Sequence, residues 1–135
     1  MEITLQQHSP TAVKLNHPNF NIIVDRPIEK GGNAEGLMGG QYLLVGIGGC
    51  FASNLLAALS ARNIIVHGLT ITVNADITNQ APACFNPIAI QVSYGSISDE
   101  QSLPKLIKIA EKACIAINTI KLTTTLTVKP KENEY

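Results

Sequence analysis

Apolar and polar residues alternate with period two along Leu69-Thr-Ile-Thr-Val-Asn-Ala75 and again along Ile88-Ala-Ile-Gln-Val-Ser-Tyr94. That period predicts two half-buried strands, able to pair as a hairpin across a long loop holding Pro82 and Pro87. Phe20–Val24 reads as a strand that ends at Asp25-Arg-Pro27, because Pro27 removes a ladder donor. Two short runs, Ile3–Gln7 and Ala12–Asn16, open the chain around a Ser9-Pro10 turn, and Leu122–Val128 reads as the last strand. Helical spacing takes over elsewhere. Leu103, Leu106, Ile107, Ala110, Cys114 and Ile117 form one stripe, with Lys105, Lys108, Glu111 and Lys112 opposite. A helix is therefore predicted from Ser98 or Ser102 to Asn118. A longer helix, Gln41 to Arg62, is apolar nearly all round, which predicts burial on most sides, with Asn63 as its stop. Between strand and helix, Gly31–Gly36 reads as a flexible loop followed by Gly39-Gly40, and the tail Lys129–Tyr135 is polar and expected to fray. Strands, a helix, strands, a helix and a strand make an α+β domain with a largely antiparallel sheet.

No charge occurs from Gly36 to Ala61, a length that could span a bilayer. The stretch contains Gly46, Gly48, Gly49, Ser53, Asn54 and Ser60, its flanks carry few basic residues, and the other amphipathic elements need a core to pack on. It is read as the central helix of a soluble protein, not as a membrane span. At 135 residues and 45% hydrophobic composition the chain suits one domain that folds without disulfides or metal. Ten basic residues cancel ten acidic ones and aromatic residues are 4%, so neither an electrostatic footprint nor a stacking platform for nucleic acid is present. The start, Met1–His8, lacks the basic and apolar blocks of a signal peptide, and a cytoplasmic location is expected.

Candidate chemistry centres on the cysteines. Cys50, Cys84 and Cys114 form no CxxC pair, which argues against a disulfide framework and against a tetrathiolate zinc site. His8, His17 and His67 are scattered and read as lone surface or strand residues; no metal or cofactor is expected. The Gly31–Gly40 stretch lacks the lysine of a phosphate cradle and reads as a loop. Around Cys50 the helical neighbours Gly46, Gly49, Ser53 and Asn54 are small. They leave either a pocket beside a nucleophile or a close packing face over an inert core thiol. Cys114 points at the core, so the two thiols meet if the helices pack together and otherwise are separate core cysteines. Cys84 reads as incidental.

Three segments carry a family resemblance. Gly39-Gly-Gln-Tyr-Leu-Leu-Val-Gly-Ile-Gly-Gly-Cys50 resembles the first cysteine segment of the OsmC/Ohr family, the osmotically induced and organic-hydroperoxide-resistance proteins. Ala110-Glu-Lys-Ala-Cys-Ile-Ala-Ile-Asn-Thr-Ile120 resembles its second, and Pro82-Ala-Cys-Phe85 is similar to a "PxxF" segment before a strand. The likeness runs from about Phe20 to Val128, the core of a single domain over 1–135. It implies a two-layer α+β fold with two central helices and an intertwined homodimer. It also implies a thiol peroxidase that reduces organic hydroperoxides and is recycled by an external thiol reductant. Cys50 would be the peroxidatic and Cys114 the resolving cysteine. Arg26 matches the family's arginine, and Gln41 stands where the family has a glutamate, nine residues before the first cysteine. The alternative is a non-catalytic binding or redox-sensing protein of the same fold, holding a small apolar ligand beside Cys50.

The chemistry sets one requirement. Peroxide is attacked by thiolate, and burial raises a thiol's pKa. Cys50 lies mid-helix, too far from its own helix N-terminus to gain from the dipole, so a nearby cation is expected. Arg26 and Arg62 are the only arginines.

Overall fold

The structure, a computed structural model, describes residues 1–131; the end of the polar tail lies outside the described residues. Strands β1 (Leu5–Gln7), β2 (Val13–Leu15) and β3 (Ile23–Val24) come first. They are followed by a 3-10 turn at Ile28–Lys30, helix α1 (Gly39–Ala61), then β4 (Val66–His67), β5 (Thr70–Ile77), β6 (Phe85–Ser93) and β7 (Ser96–Ile97). Helices α2 (Leu103–Ala113) and α3 (Ile115–Lys121) close the order. The fold is α+β with antiparallel pairing, as the alternation predicts. It divides into two compact units, 1–48 with 73–90, and 49–72 with the chain from Gln91 onward; α1 and the β5–β6 ribbon contribute to both.

In the first unit β1, β2 and β3 make an antiparallel meander, with Leu5 opposite Leu15 and Val13 opposite Val24. It ends at Asp25, the one buried charged residue described. The Asp25 carboxylate accepts the N–H groups of Arg26 at 2.7 Å, Asn33 at 3.1 Å and Glu35 at 3.2 Å. Burial alone would raise its pKa. The Glu35, Arg26 and Asn33 N–H groups, with the Thr11 hydroxyl, outweigh burial and hold the group below the ordinary carboxylate value. The glycine stretch expected to be flexible is thereby pinned. A Cβ on Gly32 would run into the Arg26 carbonyl oxygen, and one on Gly36 into that of Ile23, so both positions need the bare backbone.

Both ends of α1 are satisfied locally. Gln41, in the first turn, accepts the Met38 N–H through Oε1 at 2.9 Å, the acidic half of a capping box supplied by an amide. At the far end Asn63 takes φ 54°. The Ile64 N–H reaches the Leu59 carbonyl and the Asn63 N–H that of Ser60, at 3.0 Å each. This is a Schellman closure, and it explains why Asn63 stops the helix.

The second unit has a helical core. Phe51, Leu55 and Leu59 recur every fourth residue on α1 and are buried, together with Ile64, Leu103, Leu106, Ala110, Cys114 and Ile117. The stripe read from the sequence is therefore the buried one, apart from Ile107, which is half-buried. β4 and β7 pair with Val66 opposite Ile97, a ribbon too short for periodicity to reveal.

Four expectations need correction. The second helix is broken at Cys114, because Cys114 adopts an extended backbone, φ −77° and ψ 108°. Periodicity misses this because the apolar stripe continues through the break. Leu122–Val128 is no strand: it pairs with no described strand of this chain, and Leu122, Leu126 and Val128 are exposed. A strand needs an edge to pair with, which alternation cannot supply. Pro87 lies inside β6, not in the loop. Finally, α1 is not buried on most sides in this chain. It is long and apolar enough to cross a membrane, with mean hydropathy 1.8 over an 18-residue window of which 28% is buried. Leu43, Val45 and Leu56 stand exposed on it.

Because the folded pKa of Asp25 is depressed, its stabilisation is complete above the unfolded value and lost as pH falls through the folded one. Asp25→Asn is expected to lower the melting temperature by several degrees at neutral pH. The gap to wild type should close as the pH is taken well below 3.8, the ordinary carboxylate value. Thermal melts of both proteins across that range check it.

Candidate active site

The break at Cys114 decides where the backbone donors of α3 point. In an unbroken helix the N–H groups of Ile115, Ala116 and Ile117 would go to the carbonyls four residues back. With Cys114 extended they turn toward sulfur. The Ile117 N–H donates to Cys114 Sγ at 3.5 Å, so the thiol caps its own helix. The Ala116 and Ile115 N–H groups and the Cys114 thiol lie on the Cys50 side of the break and act on its sulfur as donors that lower its pKa. The two cysteines that the sequence left as either partners or strangers are thus side by side, both as free thiols.

Their protonation is pulled apart. The Ala116 N–H, then the Cys114 thiol, lower the Cys50 pKa below its ordinary value; burial works against this and the Ile115 N–H adds to it. Burial raises that of Cys114, the Ile117 N–H opposes the rise, and the neighbouring Cys50 pushes it further up. Cys50 is half-buried and Cys114 is 0% exposed. The pair therefore divides into a half-buried thiol of lowered pKa and a buried one of raised pKa, the pattern of two titratable groups with separate roles. Asn54, one turn on, donates through Nδ2 to the Cys50 carbonyl at 2.9 Å and lies 3.8 Å from Sγ.

The other named residues fall elsewhere. Arg62 continues the end of α1, and its guanidinium donates to the Ala58 carbonyl at 3.2 Å. Twelve residues of helix separate it from Cys50, roughly 18 Å, so Arg62 is not the expected cation. The donors that lower the Cys50 pKa are backbone groups of α3 and the Cys114 thiol. Periodicity missed them because their signal is the break itself. Arg26 and Gln41 belong to the first unit and are exposed. The Arg26 guanidinium forms no ion pair among the described residues, and Gln41 is spent on the cap of α1. Cys84 is exposed beside the β5–β6 turn, 3.8 Å from the Thr78 hydroxyl.

Neither of two open grooves is lined by Cys50. One, of about 300 Å³, runs past Gln6, His8, Lys14 and His17; the other, of about 420 Å³, past Leu56, Leu59, Ile64 and Ile65. The space predicted beside Cys50 is bare helix surface: nothing lies within 4 Å of where a Cβ on Gly49 or on Gly46 would sit.

Residues 31–129 match the family described as OsmC-like protein. No curated protein matches the sequence. Among solved structures, the chain resembles an OsmC-like protein from Mycoplasma pneumoniae (TM-score 0.75, 21% identity, 89% of this chain and 86% of that one). It also resembles an organic hydroperoxide resistance protein from Legionella pneumophila (TM-score 0.67, 16% identity, 90% of each chain). A third is an organic hydroperoxide resistance protein from Elizabethkingia anophelis with thiocyanate bound (TM-score 0.64, 20% identity, 90% and 89%). At these identities the likeness is one of fold.

Alkylation by iodoacetamide, followed by mass spectrometry as pH rises, is expected to label Cys50 with a midpoint below that of a free thiol. Cys114 should resist labelling in the folded protein. Cys114→Ala removes one donor to the Cys50 sulfur and should move the Cys50 midpoint upward. Cys114→Ser keeps a donor and should move it less. An unchanged midpoint in Cys114→Ala would disprove the thiol–thiolate contact.

Proposed function

The chain belongs to the OsmC-like family, and from that premise we propose that it is a thiol-dependent peroxidase reducing organic hydroperoxides. The observation that carries the reading is the pairing of Cys50, its pKa lowered by α3 donors and the Cys114 thiol, with a buried Cys114 whose pKa is raised. In the first step the Cys50 thiolate attacks the distal oxygen of the hydroperoxide. The O–O bond breaks, the leaving alkoxide takes a proton, and Cys50 becomes a sulfenic acid while the peroxide is reduced to an alcohol. In the second step Cys114 attacks the sulfenic sulfur, water leaves, and a Cys50–Cys114 disulfide forms. An external dithiol returns both sulfurs to thiols with two electrons and two protons. Arg26 keeps the assignment that the resemblance implies, as the arginine of the reaction. No bound cofactor enters the scheme.

The family match supports reading 1–135 as one OsmC-like domain, and the free thiols suit a reducing, cytoplasmic setting. A homodimer is part of the proposal. The exposed Leu43, Val45 and Leu56 of α1 and the unpaired run Leu122–Val128 are apolar surface that a second copy would cover.

A second reading, a non-catalytic binding or redox-sensing protein, draws on Gln41. Its amide caps α1, and it brings no charge to hold an arginine. Gln41→Glu can keep the cap while adding the carboxylate, so it separates the two readings.

With a dithiol reductant and cumene hydroperoxide, Cys50→Ser is expected to abolish peroxide loss and Cys84→Ser to leave it intact. Gln41→Glu should speed peroxide loss in a peroxidase and change nothing in a binder, and Arg26→Ala should cancel the gain. Peroxide loss that survives Cys50→Ser would sink the peroxidase assignment. Sedimentation at low micromolar concentration should give twice the chain mass.

A further inference from the structure

The broken helix leaves a carbonyl that has lost its donor. In a continuous helix the Lys112 carbonyl would accept the Ala116 N–H. Here the Asn118 side chain takes that place: Nδ2 donates to the Lys112 carbonyl at 3.0 Å, across the break. The neighbouring accounts balance in the same way. The Glu111 carbonyl, which would have taken the Ile115 N–H, accepts the Cys114 N–H at 3.2 Å. The Cys114 carbonyl accepts the Asn118 N–H at 3.0 Å and starts α3. A backbone group that leaves the helical ladder needs another partner, and at exposed Lys112 the half-buried Asn118 supplies it from within the chain.

From this exchange we propose that Asn118 is a positioning residue of the thiol pair. Its amide substitutes for the Ala116 N–H at the Lys112 carbonyl and so holds the break open, freeing the Ala116 N–H for the Cys50 sulfur. The proposal rests on Cys50 and Cys114 being the working pair, and adds a residue that touches neither sulfur. One other side-chain link spans the same break, the ion pair between Lys121 and Glu111. Its partners are 60% and 43% exposed, and exposed pairs contribute little. Asn118 is the link that replaces a backbone donor.

Without the amide, the Lys112 carbonyl recovers its partner most simply by drawing the Ala116 N–H back into the ladder. That closes the break, withdraws a donor from Cys50 and turns Cys114 out of line. A role limited to stability would lower the melting temperature and leave the thiol chemistry of the folded protein unchanged. The positioning role moves both the pH profile of Cys50 and the rate of disulfide closure.

The experiment uses the full-length protein and two readouts independent of peroxidase activity. The first is the pH midpoint of Cys50 alkylation. The second is the rate of Cys50–Cys114 closure by diamide, in which two thiols lose two electrons and two protons to the diazene. Asn118→Leu, close in size but without a donor, is expected to raise the midpoint toward that of a free thiol and to slow closure about tenfold or more. Asn118→Gln, which keeps the amide on a longer stem, should recover part of both. Lys121→Ala should match wild type in both. If Asn118→Leu does not fold, Asn118→Ser carries the same expectation. Folded donorless variants with wild-type midpoint and closure rate would overturn the proposal, as would a Lys121→Ala protein as impaired as Asn118→Leu. Cumene hydroperoxide turnover is scored separately. A wild type that closes its disulfide with diamide but consumes no peroxide defeats the peroxidase reading and leaves the role of Asn118 standing.

Discussion

Three backbone N–H groups that a helix would normally keep for itself are given to sulfur. The Ile117 N–H donates to the Cys114 sulfur, and the Ile115 and Ala116 N–H groups lower the pKa of Cys50. The exchange is possible because Cys114 is extended where its neighbours are helical. A hydrogen bond to a charged acceptor contributes about 1.5–3 kcal/mol, roughly twice a neutral one. Donors are therefore better placed against a thiolate than against a helix carbonyl, provided the abandoned carbonyls find other partners.

This arrangement answers the electrostatic problem that Cys50 poses. A thiol in the middle of a long apolar helix is far from its own helix N-terminus and faces a burial penalty. The second helix resolves it by breaking beside the sulfur and presenting a fresh N-terminus there. At Cys114 the balance goes the other way: burial and the neighbouring Cys50 outweigh the Ile117 N–H and raise its pKa. One local break thus lowers the pKa of one cysteine, while burial raises that of its partner.

The rest of the molecule supports that geometry with ordinary devices and leaves some surface uncovered. The Schellman closure at Asn63 and the Gln41 cap define the length of the helix that carries Cys50. The Asp25 carboxylate gathers the glycine loop before it. Leu43, Val45, Leu56 and the run Leu122–Val128 are apolar surface that this chain does not bury by itself. Helix α1 meets the length and hydropathy of a membrane span, and it lies within the stretch that matches the OsmC-like family.

Local pattern determined much on its own. Period-two alternation placed β5 and β6, and the stripe of Leu103, Leu106 and Ala110 identified the buried face of α2. Asn63 marked the end of α1, and motif likeness singled out Cys50 and Cys114. These features depend on neighbours within a few residues, so the sequence carries them directly. The tertiary structure decided the rest. The break at Cys114 was invisible because the apolar period runs through it unchanged. Gln41 was read against a missing charge, whereas its amide meets a backbone donor at the helix start. Asp25 looked like a strand end and proved to be a buried anchor, since its partners lie eight and ten residues ahead. Leu122–Val128 alternates like a strand, but a strand exists only where an edge receives it. In each case the outcome depended on which group completes a hydrogen bond across space, and residue spacing along the chain does not specify that.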